Sequence, residues 1–135
     1  MFEAGLKKTV DAYASIGTQL YIVEQIPQQS LGVKDLYYKI YASHNQGNQQ
    51  KIAKNIRELS VSKQQHLQLQ SLVHSLFKQQ VPAGHLNLIN FDEIYCNNEK
   101  CLIGTDKQSY YFDNNHLSTT GGRLVVDELV KHIQE

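Results

Sequence analysis

An α/β fold, with a parallel sheet flanked by helices, is what this sequence predicts, on three observations. Apolar residues recur at helical spacing in several segments. Two short runs rich in Leu, Ile and Val read as strands, and the two kinds of segment alternate along the chain. Such alternation favours parallel strands joined by right-handed crossovers. The 135 residues fall in the range of one small domain with a modest core. No repeat or boundary interrupts them, so residues 1–135 are expected to form a single domain.

The first helix is expected from Phe2 to Ile16, where Phe2, Leu6, Val10 and Tyr13 share helical spacing and Gly17 is placed to end it. Leu20 to Ile26 follows as a strand. Its contiguous Leu20, Tyr21, Ile22 and Val23 suggest cover on both faces, and Pro27 terminates it. Leu36, Tyr37, Ile40 and Tyr41 support a short helix over Lys34 to Ser43. The polar stretch Ser43 to Gln50 reads as a surface loop, and Ile52, Ala53, Ile56 and Leu59 as a further helical turn or two.

The strongest helix is Lys63 to Gln80, with a stripe of Leu69, Leu72, Val73, Leu76 and Phe77 and a capping box formed by Ser62 and Gln65. Pro82 and Gly84 break the chain before a short strand through Leu86, Leu88 and Ile89. A closing helix from about Thr119 to Gln134 is expected to bury Leu124, Val126, Leu129, Val130 and Ile133. The Gln-rich patches are interspersed with periodic apolar residues and read as solvated helix faces.

Charge excludes some functions. Thirteen basic and thirteen acidic residues balance, so there is no electrostatic footprint for nucleic acid or an anionic membrane. No apolar run approaches the ~20 residues that span a bilayer. Met1 opens directly into a helical pattern, so no signal peptide is expected within this sequence.

The tract most informative about chemistry is Tyr110-Tyr111-Phe112-Asp113-Asn114-Asn115-His116-Leu117-Ser118-Thr119-Thr120-Gly121-Gly122. Asp113 stands three residues before His116, after an aromatic run and before an amphipathic helix. An Asp oxygen there can accept the Nδ1–H of the His, fix its tautomer and leave Nε2 free to take a proton. By itself Asp-x-x-His also fits a plain surface turn before a helix cap. The setting is more specific, since Ser118 is a good N-cap and Gly121 and Gly122 would let a neighbouring backbone come close.

Other candidates have simpler readings. His66 and His74, off the apolar stripe, are expected as exposed helix residues. His44 falls in the polar loop, and His132 can interact with the dipole of the last helix. Ser43, beside His44, lacks the strand-turn-helix setting that exposes an attacking hydroxyl. Ser30, Ser62 and Ser118 read as loop or capping residues. No convincing nucleophile is found.

The block Tyr111-Phe112-Asp113-Asn114-Asn115-His116-Leu117-Ser118-Thr119-Thr120-Gly121-Gly122 resembles the last conserved block of SGNH hydrolases. More narrowly, it resembles the SGNH domain at the C-terminus of membrane acyltransferases that O-acetylate bacterial cell-surface polysaccharides. The pattern there is aromatic-x-Asp-x-x-His-Leu-Ser-x-x-Gly-Ala, and the departure here is Gly122 in place of Ala. Leu20-Tyr21-Ile22-Val23-Glu24-Gln25-Ile26-Pro27 resembles the strand-to-Pro segment of the same domain, and Cys96 and Cys101 resemble its paired cysteines. The likeness runs over nearly the whole chain but onto the family's C-terminal part. The Gly-Asp-Ser block that carries the nucleophile, and the Gly and Asn blocks of the oxyanion hole, have no counterpart here.

The resemblance implies a partial doubly wound, flavodoxin-like sheet lacking its N-terminal strand, with Asp113 and His116 as the Asp-His half of a Ser-His-Asp triad. It implies an acyl donor and a glycan acceptor in the intact domain, no cofactor, and an extracytoplasmic site of action. An uncovered sheet edge would favour self-association or a complementing N-terminal segment.

A disulfide between Cys96 and Cys101 is implied chiefly by the same likeness. The turn Asn97-Asn98-Glu99-Lys100 is short enough to allow it, and two reduced thiols remain the alternative. Zinc fits less well, because there is no second Cys pair and His85 and His116 lack ligand spacing. Two functional classes follow: the C-terminal portion of an acyl-transfer domain, inactive alone, or a non-catalytic α/β interaction module.

Overall fold

The computed structural model describes residues 1–42 and 48–134. The elements are α1 (Phe2–Ser15), β1 (Leu20–Val23), α2 (Val33–Ala42), α3 (Gln49–Leu59), β2 (Val61–Ser62) and α4 (Lys63–Gln80). After a 3₁₀ turn at Val81–Ala83 come β3 (Leu86–Ile89), α5 (Asp92–Tyr95), β4 (Lys100–Cys101) and α6 (Thr119–Gln134). The chain divides into two compact units, Met1–Gln25 with Leu67–Asn90, and Ile26–His66 with Phe91–Glu135.

In the first unit β1 and β3 pair in parallel, from Leu20 opposite Leu86 to Val23 opposite Ile89. Two parallel strands need a long crossover, and the alternating pattern supplies it. Leu6 and Val10 of α1 are buried with Leu86, and Leu20, Ile22, Leu88, Leu76 and Phe77 pack against them. Gly17, at φ 69°, takes the left-handed conformation that ends α1, as its position predicts.

The strand differs from expectation in two ways. It stops at Val23, and one face only is covered: Tyr21 and Val23 are 37% and 47% exposed. A contiguous apolar run permits burial on both sides, but two strands with helices packed on Leu20 and Ile22 cover one. The α4 stripe is likewise half used. Leu76 and Phe77 reach the core, while Leu69 and Leu72 stay 59% and 69% exposed.

The second unit has its own core of Leu36 and Ile40 from α2, Ile52 and Ile56 from α3, and Ile103 and Tyr111. Asn48 caps α3 by accepting from the Lys51 amide at 3.0 Å, so Gln49 and Gln50, expected in a loop, are helical. The capping box holds: Ser62 Oγ accepts from the Gln65 amide at 3.1 Å, and Gln65 Oε1 accepts from the Ser62 amide at 3.2 Å. β2 and β4 pair antiparallel, Val61 opposite Cys101 and Ser62 opposite Lys100. Elements of two residues carry no periodicity and escape a pattern reading.

The expected burial of α6 is found only in part, at the half-buried Leu129. Leu124, Val126 and Val130 are 40%, 51% and 43% exposed. Periodicity marks which residues suit a core; it does not guarantee a neighbour to cover them. Ser43 and His44, and the side chains of Tyr41 and Ile133, lie outside the described residues.

The two classes of apolar position should separate in urea unfolding. Leu36→Ala, at a fully buried site, is expected to cost about 2–5 kcal/mol. Leu72→Ala should stay within about 0.5 kcal/mol of the parent.

Candidate functional site

Asp113 and His116 occupy a tight loop closed by backbone pairing. Tyr111 and Leu117 form an antiparallel bridge, and the Phe112 amide donates to the His116 carbonyl at 2.7 Å. Inside the loop, Asp113 Oδ1 accepts from the amides of Asn115 at 2.9 Å and His116 at 2.8 Å. Its Oδ2 meets His116 Nδ1 at 2.8 Å. The sequence spacing thus brings both groups together as expected.

The electrostatics follow from those contacts. The Asn115 amide, the His116 imidazole and the His116 amide, in that order, hold the Asp113 carboxyl down at about 2. An ionised carboxylate only accepts, so Nδ1 carries the proton and Nε2 is the nitrogen left for chemistry. The imidazole is open to solvent, with the His116 side chain 72% exposed and that of Asp113 41%.

The surrounding frame fixes where α6 begins. Ser118 Oγ accepts from the Gly121 amide at 3.1 Å and donates to the Ser109 carbonyl at 2.8 Å, so it is a cap and not a nucleophile. Tyr95 donates to the Gly121 carbonyl at 2.8 Å. A Cβ on Gly121 would lie 1.9 Å from the Tyr110 carbonyl oxygen, whereas one on Gly122 would meet nothing within 4 Å. The close backbone approach inferred for the glycine pair is therefore real at Gly121 alone.

Gln29, not singled out by the sequence, ties the loop to the rest of its unit. Its amide donates to the Asn114 carbonyl at 2.7 Å. Its buried side chain donates to the Cys101 carbonyl at 3.0 Å and accepts from the Val61 amide at 3.1 Å. Tyr111 donates to the Pro27 carbonyl at 2.8 Å. Burial, first of all, pushes the Tyr95 hydroxyl up to about 12 and raises that of Tyr111. Both stay donors at neutral pH. Cys96 and Cys101 are joined by a disulfide across the turn that leads into this region.

Two histidines differ from expectation. His66 is 2% exposed, with Nε2 2.8 Å from Asp92 Oδ1, and its Nδ1 is buried without a partner among the described residues. His74 Nδ1 pairs with Glu24. Both acids are remote in sequence, 26 and 50 residues away, so no local spacing could reveal them. No group of three or more His, Cys, Asp or Glu suited to a metal occurs among the described residues, and none of their hydroxyls is bonded to His116 Nε2.

With this geometry in hand, a family model described as the SGNH domain (fused to AT3 domains) matches residues 1–131. The match takes in Asp113, His116 and both cysteines. No curated protein and no solved structure matches the chain.

Two measurements test the loop. Gly121→Ala should destabilise by about 3 kcal/mol or more, because backbone would have to move. Gly122→Ala, in a helix with open space, should stabilise by about 0.5–1 kcal/mol. The Asp113 carboxyl carbon, followed by NMR, should titrate near 2. A carboxyl depressed in the folded state stabilises above its unfolded value and loses that contribution as pH falls through about 2. The sign predicts that Asp113→Asn narrows the stability difference between neutral and acid pH.

Proposed function

Because the chain belongs to the SGNH domain family, in the form fused to AT3 acyltransferase domains, we propose that it supplies the acid–imidazole half of an acyl-transfer site. His116 is the proton shuttle and Asp113 orients it. The attacking serine comes from polypeptide outside these 135 residues, since no Gly-Asp-Ser block occurs in them. The observation that carries this reading is the 2.8 Å contact between Asp113 Oδ2 and His116 Nδ1, within the residues that the family model matches.

In the intact site the serine oxygen attacks the acyl carbonyl of the donor, and its proton passes to His116 Nε2. The imidazolium returns that proton to the donor's leaving group as the acyl-serine forms. An acceptor hydroxyl, on a cell-surface glycan, then gives its proton to Nε2 and takes the acyl group, and the serine oxygen is reprotonated. Water in the acceptor's place makes the same site an esterase. These proton transfers require no cofactor. The disulfide supports an oxidising, extracytoplasmic setting.

The test combines this chain with an SGNH segment carrying the Gly-Asp-Ser block. The chain alone should take no fluorophosphonate label. The combined protein should be labelled at serine and should turn over aryl acetates. His116→Ala is then expected to lower turnover by roughly 10²–10⁴-fold. A loss smaller than about tenfold would remove His116 from the relay.

A further inference from the structure

The first unit contains a second acid–imidazole constellation, separate from the one above. Glu24 and Asn90 are the residues that follow β1 and β3, at the carboxyl ends of the two parallel strands. In open α/β sheets that is the side on which ligands bind. Glu24 continues the alternation of β1 on the face of Leu20 and Ile22, the face against which Leu76 and Phe77 of α4 pack. His74, near those residues on α4, pairs through Nδ1 with Glu24 Oε1. The second carboxylate oxygen, Oε2, accepts from Asn90 Nδ2 at 2.9 Å.

The exposures give this cluster a direction. The Glu24 side chain is 10% exposed and that of His74 is 37%. His74 Nε2 has no partner among the described residues and is not among their buried unsatisfied atoms, so it opens to solvent. A mere tie between helix and sheet would need neither an open nitrogen nor a carboxylate held from both sides. A carboxylate with both oxygens engaged cannot swing away, and it holds the proton on Nδ1. Nε2 is left as an oriented acceptor at the sheet's carboxyl end.

We infer that Glu24, His74 and Asn90 form a second, binding site, in which His74 Nε2 accepts a hydrogen bond from the hydroxyl of a neutral alcohol such as a sugar. The inference stands apart from the role proposed for His116, because its residues belong to the other unit.

The test uses the full chain carrying His116→Ala, so that failure of the acyl-transfer reading leaves the outcome unchanged. Diethyl pyrocarbonate modification of each histidine is followed by peptide mass spectrometry, with the exposed His85 as internal reference. His74 should react several-fold faster than His85. Methyl α-glucopyranoside should slow His74 in a saturable manner and leave His85 alone. Glu24→Gln, which preserves size and an acceptor for Asn90, should reduce the rate at His74 toward that of His85. Equal rates at His74 and His85, no protection by the glucoside, or an unchanged rate in Glu24→Gln would each overturn the site.

Discussion

Asp113 uses its two carboxylate oxygens for different tasks, and the candidate site depends on both. Oδ1 closes the loop by accepting two backbone amides, and Oδ2 receives the imidazole. The largest single cause of its low titration point is the Asn115 amide, ahead of the histidine. Loop closure is therefore the first cause that lowers this carboxyl below the ordinary carboxylate range. The imidazole docks onto an acceptor that the backbone has already prepared, which is the arrangement a preorganised base requires.

That loop would be only a turn on the surface without its supports. Gln29 reaches three separate segments, through Asn114, Val61 and Cys101. Tyr111 and Tyr95 each bring a buried hydroxyl to a carbonyl, of Pro27 and Gly121 respectively. The rings of Tyr95 and Tyr110 meet edge to face at 6.0 Å, and Tyr95 and Tyr111 are tilted at the same separation. Buried polar groups that are all satisfied make a scaffold specific as well as stable. The same burial that raises the tyrosine hydroxyls keeps them protonated, so these donors survive well beyond neutral pH.

How much of this could be read beforehand depended on sequence distance. The Asp113–His116 contact, the Ser118 cap and the Ser62–Gln65 box are local, spanning three residues each, and all were legible. The parallel pairing of β1 with β3 followed from alternation, because a long helical connection leaves few other topologies. Gln29 was not legible. Nothing in Pro27-Gln28-Gln29 distinguishes the buried glutamine from its neighbours, and the partners of its side chain lie 32 and 72 residues away. The apolar faces of α6 and of the N-terminal part of α4 were misread for a different reason: hydrophobic spacing states a capacity for burial, and the cover must come from elsewhere.

Four imidazoles among the described residues meet a carboxylate; His132 does so loosely, 3.6 Å from Glu128 in the last turns of α6, and solvent separates the roles of the other three. His66, 2% exposed, is enclosed; its free Nδ1 is buried, no substrate proton can reach the ring, and its pairing with Asp92 pins the start of α5. His116, at 72%, has the opposite balance: full access, with orientation supplied by a four-residue loop. His74, at 37%, lies between them, with a nearly buried acid behind it and an open nitrogen ahead. A base in a protein needs both a fixed tautomer and a path for the proton. His66 has the first without the second. His74 and His116 have both, which is why roles toward a ligand are proposed for those two and packing for His66.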